Sequence, residues 1–304
     1  MKVAVLGSLS LTLVAEVERL PQPGETAVGR SLVRAPGGRG LVQAVAAARL
    51  GAEVALFGKV GHDEFGQELL AAARDHGVDV SGVEVAPQST GAFLLLRDPQ
   101  GEGLSAYAPG ANALVDEAYI DRILPHLSRA DVLLLQLEIP LPSLAFALRR
   151  LPRERPVVVL NPAPPQDLGP LPLARVDVLV PNAQEFKALA GWSGSPEELA
   201  RAGQRFLAQG VKALVVTAGE EGAYLVEPEG VTHFPAVRVA AVDPAGAGEA
   251  FCAGLAVKLG QGRGLYEAIG FANAAAALAT RKRGVLPSLP TLAEVQALLA
   301  QLAR

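Results

Sequence analysis

The chain has 304 residues, enough for one large α/β domain or two small ones. Half of them are apolar, 19% are charged and the formal net charge is -4, so no overall basic field exists to draw nucleic acid or an anionic lipid surface. The single cysteine cannot close an internal disulfide, no apolar run approaches the roughly 18 residues of a membrane span, and Met1-Lys2 leads into an apolar stretch shorter than the ~7–15 residues of a secretory signal core. A cytoplasmic protein with no nucleic-acid and no membrane partner is expected.

Short β-branched runs alternate with Ala/Leu-rich segments of helical period, the signature of βαβ units around a parallel sheet covered on both faces. Strands are expected at VAVLG (3–7), EVALFGKVG (53–61), ADVLLLQLE (130–138), PVVVLNPAP (156–164) and VDVLVPNA (176–183), with two more and a turn in KALVVTAGEEGAYLV (212–226). GLVQAVAAARLG (40–51) and FGQELLAAARDHG (65–77) read as helices stopped by glycine, and three helical segments follow from residue 246 to the end. The fold class is α/β, a three-layer α-β-α sandwich with a mainly parallel central sheet. Residues 11–36 and 89–109 break this rhythm: they are turn-rich, strand-like and lack helices of their own. Residues 1–304 are therefore expected to form one domain whose sheet edge is covered by a small, discontinuous β lid.

VDPAGAGEAFCAG (242–254) carries the most chemical information. Ala245, Gly246, Ala247 and Gly248 open a helix whose first turn is almost bare main chain, so unpaired N–H groups and the helix dipole favour a phosphate or an oxyanion there. Glu249 follows in the same turn. The same residues also suit a small-residue strand-to-helix turn with a dipole-favoured acid, and the window alone does not decide between the two. Neither standard phosphate loop is present: the only Gly-Lys pair, Gly58-Lys59, continues to Val60, and Gly38-Arg39-Gly40 runs to Gln43 where a dinucleotide fingerprint needs glycine.

Taken together, APGGRGLVQAVAAARLGAEVALFGKVGHDEFG, STGAF, APGANA, LLLQLEIP, LNPAP, VPNAQE, VVTAGEEGAYL, DPAGAGEAFCAG and FANAAAALATRKRGVLPSLPT resemble, in order and spacing, the ribokinase family of sugar kinases, also called the phosphofructokinase-B family. These windows run from residue 35 to residue 291, and all four asparagines, Asn112, Asn161, Asn182 and Asn273, lie inside them. The resemblance implies ATP-dependent phosphorylation of a hydroxyl on a small sugar or sugar-like acceptor. It implies Glu249 as catalytic base, with Ala245, Gly246, Ala247 and Gly248 forming the anion hole. Asn182 and Glu185 would organise Mg²⁺ through water; Thr217, Gly219 and Gly222 would approach the nucleotide phosphates; Asn273 would border the adenine pocket. Asp243 matches an acid that binds a monovalent cation, K⁺ where that site is kept. Gly38 and Glu138 match acceptor-binding positions.

Several positions depart from the family pattern. Ser10, Thr12, Arg39 and Val42 stand where the family usually carries Asn, Asp, Lys and Asn, and Glu249 stands for Asp. Val42 has no polar atom in its side chain, so recognition of ribose hydroxyls is expected to weaken or to turn toward a less hydroxylated acceptor. Arg39 either faces solvent or offers its planar fork to an anionic group on the substrate. Cys252 reads as a small core residue, and His62, His76, His126 and His233 show no metal-ligand spacing. An altered base beside altered acceptor contacts also suits a second reading, a non-catalytic nucleotide- and ligand-binding protein derived from a sugar kinase. The exposed edge of the β lid suggests a homodimer.

Overall fold

The computed structural model describes residues 1–192 and 194–303. In chain order its strands are β1 (Lys2–Leu6), β2 (Ser10–Val17), β3 (Gly29–Gly37), β4 (Glu53–Gly61), β5 (Val83–Ala86), β6 (Gly91–Arg97), β7 (Gly103–Ala108), β8 (Val132–Leu135), β9 (Val157–Leu160), β10 (Val178–Leu179), β11 (Ala213–Thr217), β12 (Gly222–Glu227) and β13 (Gly230–Pro235). The helices are α1 (Arg39–Arg49), α2 (Glu64–Asp75), α3 (Glu117–Arg129), α4 (Leu141–Arg150), α5 (Ala183–Ala190), α6 (Pro196–Ala208), α7 (Ala247–Gly260), α8 (Leu265–Ala279), the single turn α9 (Val285–Ser288) and α10 (Leu292–Leu302).

Among the described residues the large sheet has nine strands in the order β13-β12-β11-β10-β9-β8-β1-β4-β5. From β11 to β5 every neighbouring pair is parallel, and β12 and β13 add an antiparallel edge. Parallel strands covered on both faces read as unbroken apolar runs, and Val132–Leu135 and Val178–Leu179 are buried throughout. Alternation splits their side chains between two cores. Val3, Val5, Val132 and Leu134 pack with residues of α1, α7 and α8; Ala4, Leu6, Leu133 and Leu135 pack with residues of α3 and α4. The result is the three-layer α-β-α sandwich.

Several expected strands end early. The run 130–138 stops at Leu135, and Gln136 to Glu138 leave the sheet as a loop; the run 176–183 retains only Val178–Leu179 as strand. The hairpin within 212–226 forms as β11 and β12 around a tight turn at Gly219–Glu221. Sequence pattern does not single out α3, α4, α5 and α6, which together cover one face of the sheet.

The two turn-rich stretches supply a second, four-stranded sheet in the order β3-β2-β6-β7. Register fixes which side chains share a face: Thr12 lies beside Ala35 and Phe93, Val14 beside Val33 and Leu95, and Ala15 beside Leu32 and Leu96. One face therefore carries Thr12, Val14, Val33, Ala35, Phe93 and Leu95, and the other Leu13, Ala15, Leu32, Leu94 and Leu96. The first face closes over the carboxyl end of the large sheet. Strand order reverses there about β1, whose neighbours β4 and β8 lead away in opposite directions, and such reversals open the crevice used by ligands in α/β sheets.

Candidate active site

A cavity of about 920 Å³ lies between the inner lid face and the large sheet, lined by Thr12, Val14, Val33, Phe93 and Leu95 from the lid and by Gly38, Arg39, Val42, Glu138, Asp243 to Gly246 and Glu249 beneath it. Gly38 adopts φ +85°, and a Cβ there would stand 2.7 Å from the Ser10 nitrogen, so only glycine lets α1 begin this close to the loop after β1. That turn delivers Arg39 to the cavity floor. The early end of β8 delivers Glu138 to the same point.

Three carboxylates surround the Arg39 guanidinium. Its Nε lies 3.4 Å from Glu138 Oε1, its Nη2 3.8 Å from Glu185 Oε1, and its Nη1 donates to Glu249 Oε1 at 3.1 Å. The arginine thus neither turns to solvent nor keeps its fork free for an anionic substrate. Burial by itself would lower its pKa, but the charges of Glu249, Glu138 and Glu185 outweigh that and hold it above the ordinary arginine value. Glu138 also accepts from the Arg39 main-chain N–H at 3.1 Å and from Ser8 Oγ. Tyr107 reaches the Glu138 carbonyl at 3.5 Å, and burial followed by the Glu138 charge pushes its phenol up to about 12, so it stays a neutral donor.

At the start of α7, Gly246 takes φ +88° and Ala250 N–H closes the first helical bond onto its carbonyl. The turn carries Gly248, against which a Cβ would meet nothing within 4 Å, and Glu249, which faces Arg39. Main-chain donors and a carboxylate therefore flank one open space. Asp243 ties this turn to the next loop, accepting from Ala245 N at 3.0 Å and Gly284 N at 3.4 Å, which leaves its remaining lone pairs for a cation.

The positions expected on the nucleotide side follow the carboxyl ends of the next strands. Asn182 caps α5 in a reciprocal box: its side chain accepts from Glu185 N and Glu185 Oε2 accepts from Asn182 N, both at 2.8 Å. Thr217 ends β11 and bridges to Asn182, and Gly219 and Gly222 bound the turn beyond it. Asn273, on α8, donates to the carbonyls of Phe234 and Pro235 at 3.3 and 3.4 Å and so shapes the end of β13. Burial raises the Glu185 pKa despite the Asn182 N–H and the Arg39 charge. Among the described residues no cluster of three or more His, Cys, Asp or Glu side chains could ligate a metal directly. Glu185 offers chiefly Oε1, and a lone carboxylate oxygen suits Mg²⁺, which keeps several waters and shares its coordination with substrate phosphates. The residues present fit an ion held through water.

Of the expected acceptor contacts, Thr12, Gly38, Arg39, Val42 and Glu138 line the cavity and Ser10 does not: it is fully buried and receives a hydrogen bond from Asn112 Nδ2 at 3.1 Å. Sequence reasoning passed over the chain beneath the site. Gln136 Nε2 donates to Gln43 Oε1 at 2.7 Å, Gln43 Nε2 to Asn161 Oδ1 at 3.4 Å, and Asn161 Nδ2 to Val180 O at 2.9 Å and Glu185 Oε2 at 3.4 Å. The available signal was a glutamine inside each of two apolar runs, VQAVAAA and LLLQL, where a polar side chain must find a partner.

Comparison with known proteins agrees with the motif resemblance. The pfkB family carbohydrate kinase pattern matches residues 1–292. The chain is 33% identical over 292 residues to a ribokinase of Haemophilus influenzae, covering 95% of each, and 31% identical over 295 residues to a deoxyribokinase of Salmonella typhi, covering 96% of each. An Arabidopsis thaliana ribokinase structure complexed with ribose and ATP superposes with a TM-score of 0.91 at 29% identity, over 98% of both chains. Sequence and fold thus agree along almost the whole length, and the chain belongs to the pfkB family of carbohydrate kinases.

Proposed function

We propose that this ATP-dependent sugar kinase transfers the γ-phosphoryl group to a hydroxyl of a pentose-type acceptor held between Glu138 and the inner lid face, with Glu249 as the base. The observation that carries the reading is the meeting of Glu249, Glu138 and Arg39 beside the bare first turn of α7, within one lid-covered cavity. Glu249 takes the hydroxyl proton as that oxygen forms its bond to phosphorus and the bond to the departing ADP oxygen breaks. Ala245 and Ala247 spend their main-chain N–H groups on Asp243 Oδ1 and the Pro244 carbonyl, so it is the N–H groups of Gly246 and Gly248 that bear the charge growing on the transferring group. Glu185 and Asn182 would hold Mg²⁺ through water, and the ion would supply charge neutralisation on the phosphates. Asp243 would take a monovalent cation, and Thr217, Gly219, Gly222 and Asn273 would shape the nucleotide side.

The acceptor class rests on the relatives, a ribokinase and a deoxyribokinase, and on the cavity itself, where Thr12 and Val42 provide few hydroxyl partners. Family membership favours the enzyme over the binding-protein alternative. No helix among the described residues is long and apolar enough to cross a membrane, and a cytoplasmic setting would supply the ATP. A second copy of the chain is the proposed partner of the outer lid face.

Protein supplied with MgATP and a panel of pentoses, 2-deoxypentoses and hexoses should release ADP with at least one acceptor above the sugar-free control. Glu249→Gln, which keeps the shape but cannot take a proton, should lower kcat on the order of 10²- to 10⁴-fold while the protein still binds nucleotide. Turnover unaffected by that substitution would remove Glu249 as base.

A further inference from the structure

Arg39 stands where three acidic side chains with separate tasks converge. An ammonium is one compact charge on a flexible stem, whereas a guanidinium presents five N–H donors in a rigid plane. Only a planar fork addresses carboxylates lying off Nε, Nη1 and Nη2 at once, as Glu138, Glu249 and Glu185 do at 3.4, 3.1 and 3.8 Å. Its root is fixed as well. Gly38 sits with φ +85° against the loop after β1, and Arg39 N–H is bound to Glu138 Oε2 at 3.1 Å, so the arginine side chain leaves a backbone that cannot shift.

The pairing also sorts the two oxygens of the base. Glu249 Oε1 accepts from Arg39, and among the described residues Oε2 makes no hydrogen bond. Glu249 belongs to the first turn of α7, and the extra methylene of glutamate over aspartate carries its carboxylate outward from that turn, where an unrestrained arm would sample several rotamers. A charge-assisted hydrogen bond to an immobile arginine removes that freedom.

We infer that Arg39 and Glu249 are a matched pair: the arginine fork clamps Oε1 of the longer glutamate arm so that Oε2 is presented to the acceptor hydroxyl, and neither lysine at 39 nor aspartate at 249 serves in the absence of the other change. Arg39 is on this account a positioning residue for the base. It rests on the reading of Glu249 as the proton acceptor.

The test is a double-mutant cycle with Arg39→Lys, Glu249→Asp and the two together, read as kcat, acceptor KM and thermal unfolding. A reacting group misplaced by about 1 Å can cost on the order of 10²-fold in rate, so each single variant should lose about 10²-fold in kcat, with acceptor KM changed by less than about threefold. The double variant should lose no more than about 10²-fold, far short of the roughly 10⁴-fold of independent effects. Multiplicative losses overturn the pairing, and so do singles whose unfolding temperatures fall while kcat is unchanged. Unfolding separates this idea from the assignment of function. The singles should each lower Tm by about 2 °C and the double by no more than one of them, whether or not an acceptor is known. A coupled unfolding cycle with no turnover on any sugar would defeat the kinase reading, whereas turnover with additive unfolding and rate losses would defeat only the matched pair.

Discussion

On the proposed reading Val42 is part of the wall that the acceptor meets. It lines the cavity beside Arg39 yet is only 4% exposed, so little of it can touch a ligand, and what it offers is two methyl groups. A hydroxyl brought against it loses water without gaining a partner, while a CH₂ at the same place loses nothing. Val42→Asn should therefore raise the ratio of kcat/KM for ribose over 2-deoxyribose by about tenfold, the worth of one added hydrogen bond, measured with both sugars under identical MgATP. An unchanged ratio would mean that the acceptor does not reach this wall. Residue identity announced such positions better than residue role. All four asparagines lie in the windows that match the family, and in the structure each bonds a main-chain group, Asn112 at Leu9, Asn161 at Val180, Asn182 at Glu185 and Asn273 at Phe234 and Pro235, while Asn112 also donates to Ser10 Oγ and Asn161 to Glu185 Oε2. Each satisfies a break at a strand or helix end, and a break is invisible until the strand lengths are known.

Strands were legible as apolar runs because burial on both faces removes the polar alternation, and their ends were misjudged for the same reason. In LLLQLE the apolar character continues past Leu135 while the chain has already turned out of the sheet to deliver Glu138. Where a polar cap marks the boundary, the element is better defined. Asp63 caps α2 by accepting from Gly66 N at 2.8 Å, and the same carboxylate takes Thr90 N at 2.7 Å and Thr90 Oγ1 at 2.6 Å, which ties the entry of lid strand β6 to the end of β4. Burial opposes its charge, but the hydrogen bonds from Thr90 and Gly66 win and hold its pKa below the ordinary aspartate value of 3.8. A carboxylate with a lowered folded-state pKa contributes stability that is fully present above its unfolded pKa and is lost as pH falls through the folded one. Asp63→Asn should cost about 1–3 kcal/mol at pH 7, and the gap to the unaltered protein should shrink below about pH 4 in denaturant titrations. A gap that is constant down to pH 3 would show that the charge contributes nothing beyond the shape of the side chain.

At the scale of the whole molecule, period-two alternation in the lid makes two apolar faces, and they are used unequally inside the chain, the outer one packing against the main core at its base through Leu13. The inner face roofs the cavity. On the outer face, strand register lines up Leu32, Ala15, Leu96 and Leu104 across all four strands, and Leu32, Leu94 and Leu104 are 67%, 50% and 50% exposed. A contiguous apolar row on a small projecting sheet is unusual for a surface that meets only water, and it invites burial by a self-complementary surface. Homodimerisation through this face would also stiffen the strands that carry Thr12, Val14 and Phe93 over the acceptor, because a two-layer lid bends less than one sheet. Leu94→Glu together with Leu104→Glu should then convert a dimer to a monomer in sedimentation velocity and raise acceptor KM. The nucleotide side, built on β10, β11 and α8, should keep its affinity, since no part of it belongs to the lid. A chain that is monomeric before substitution, or a dimer that survives it, would place the interface elsewhere and leave the outer row without a partner.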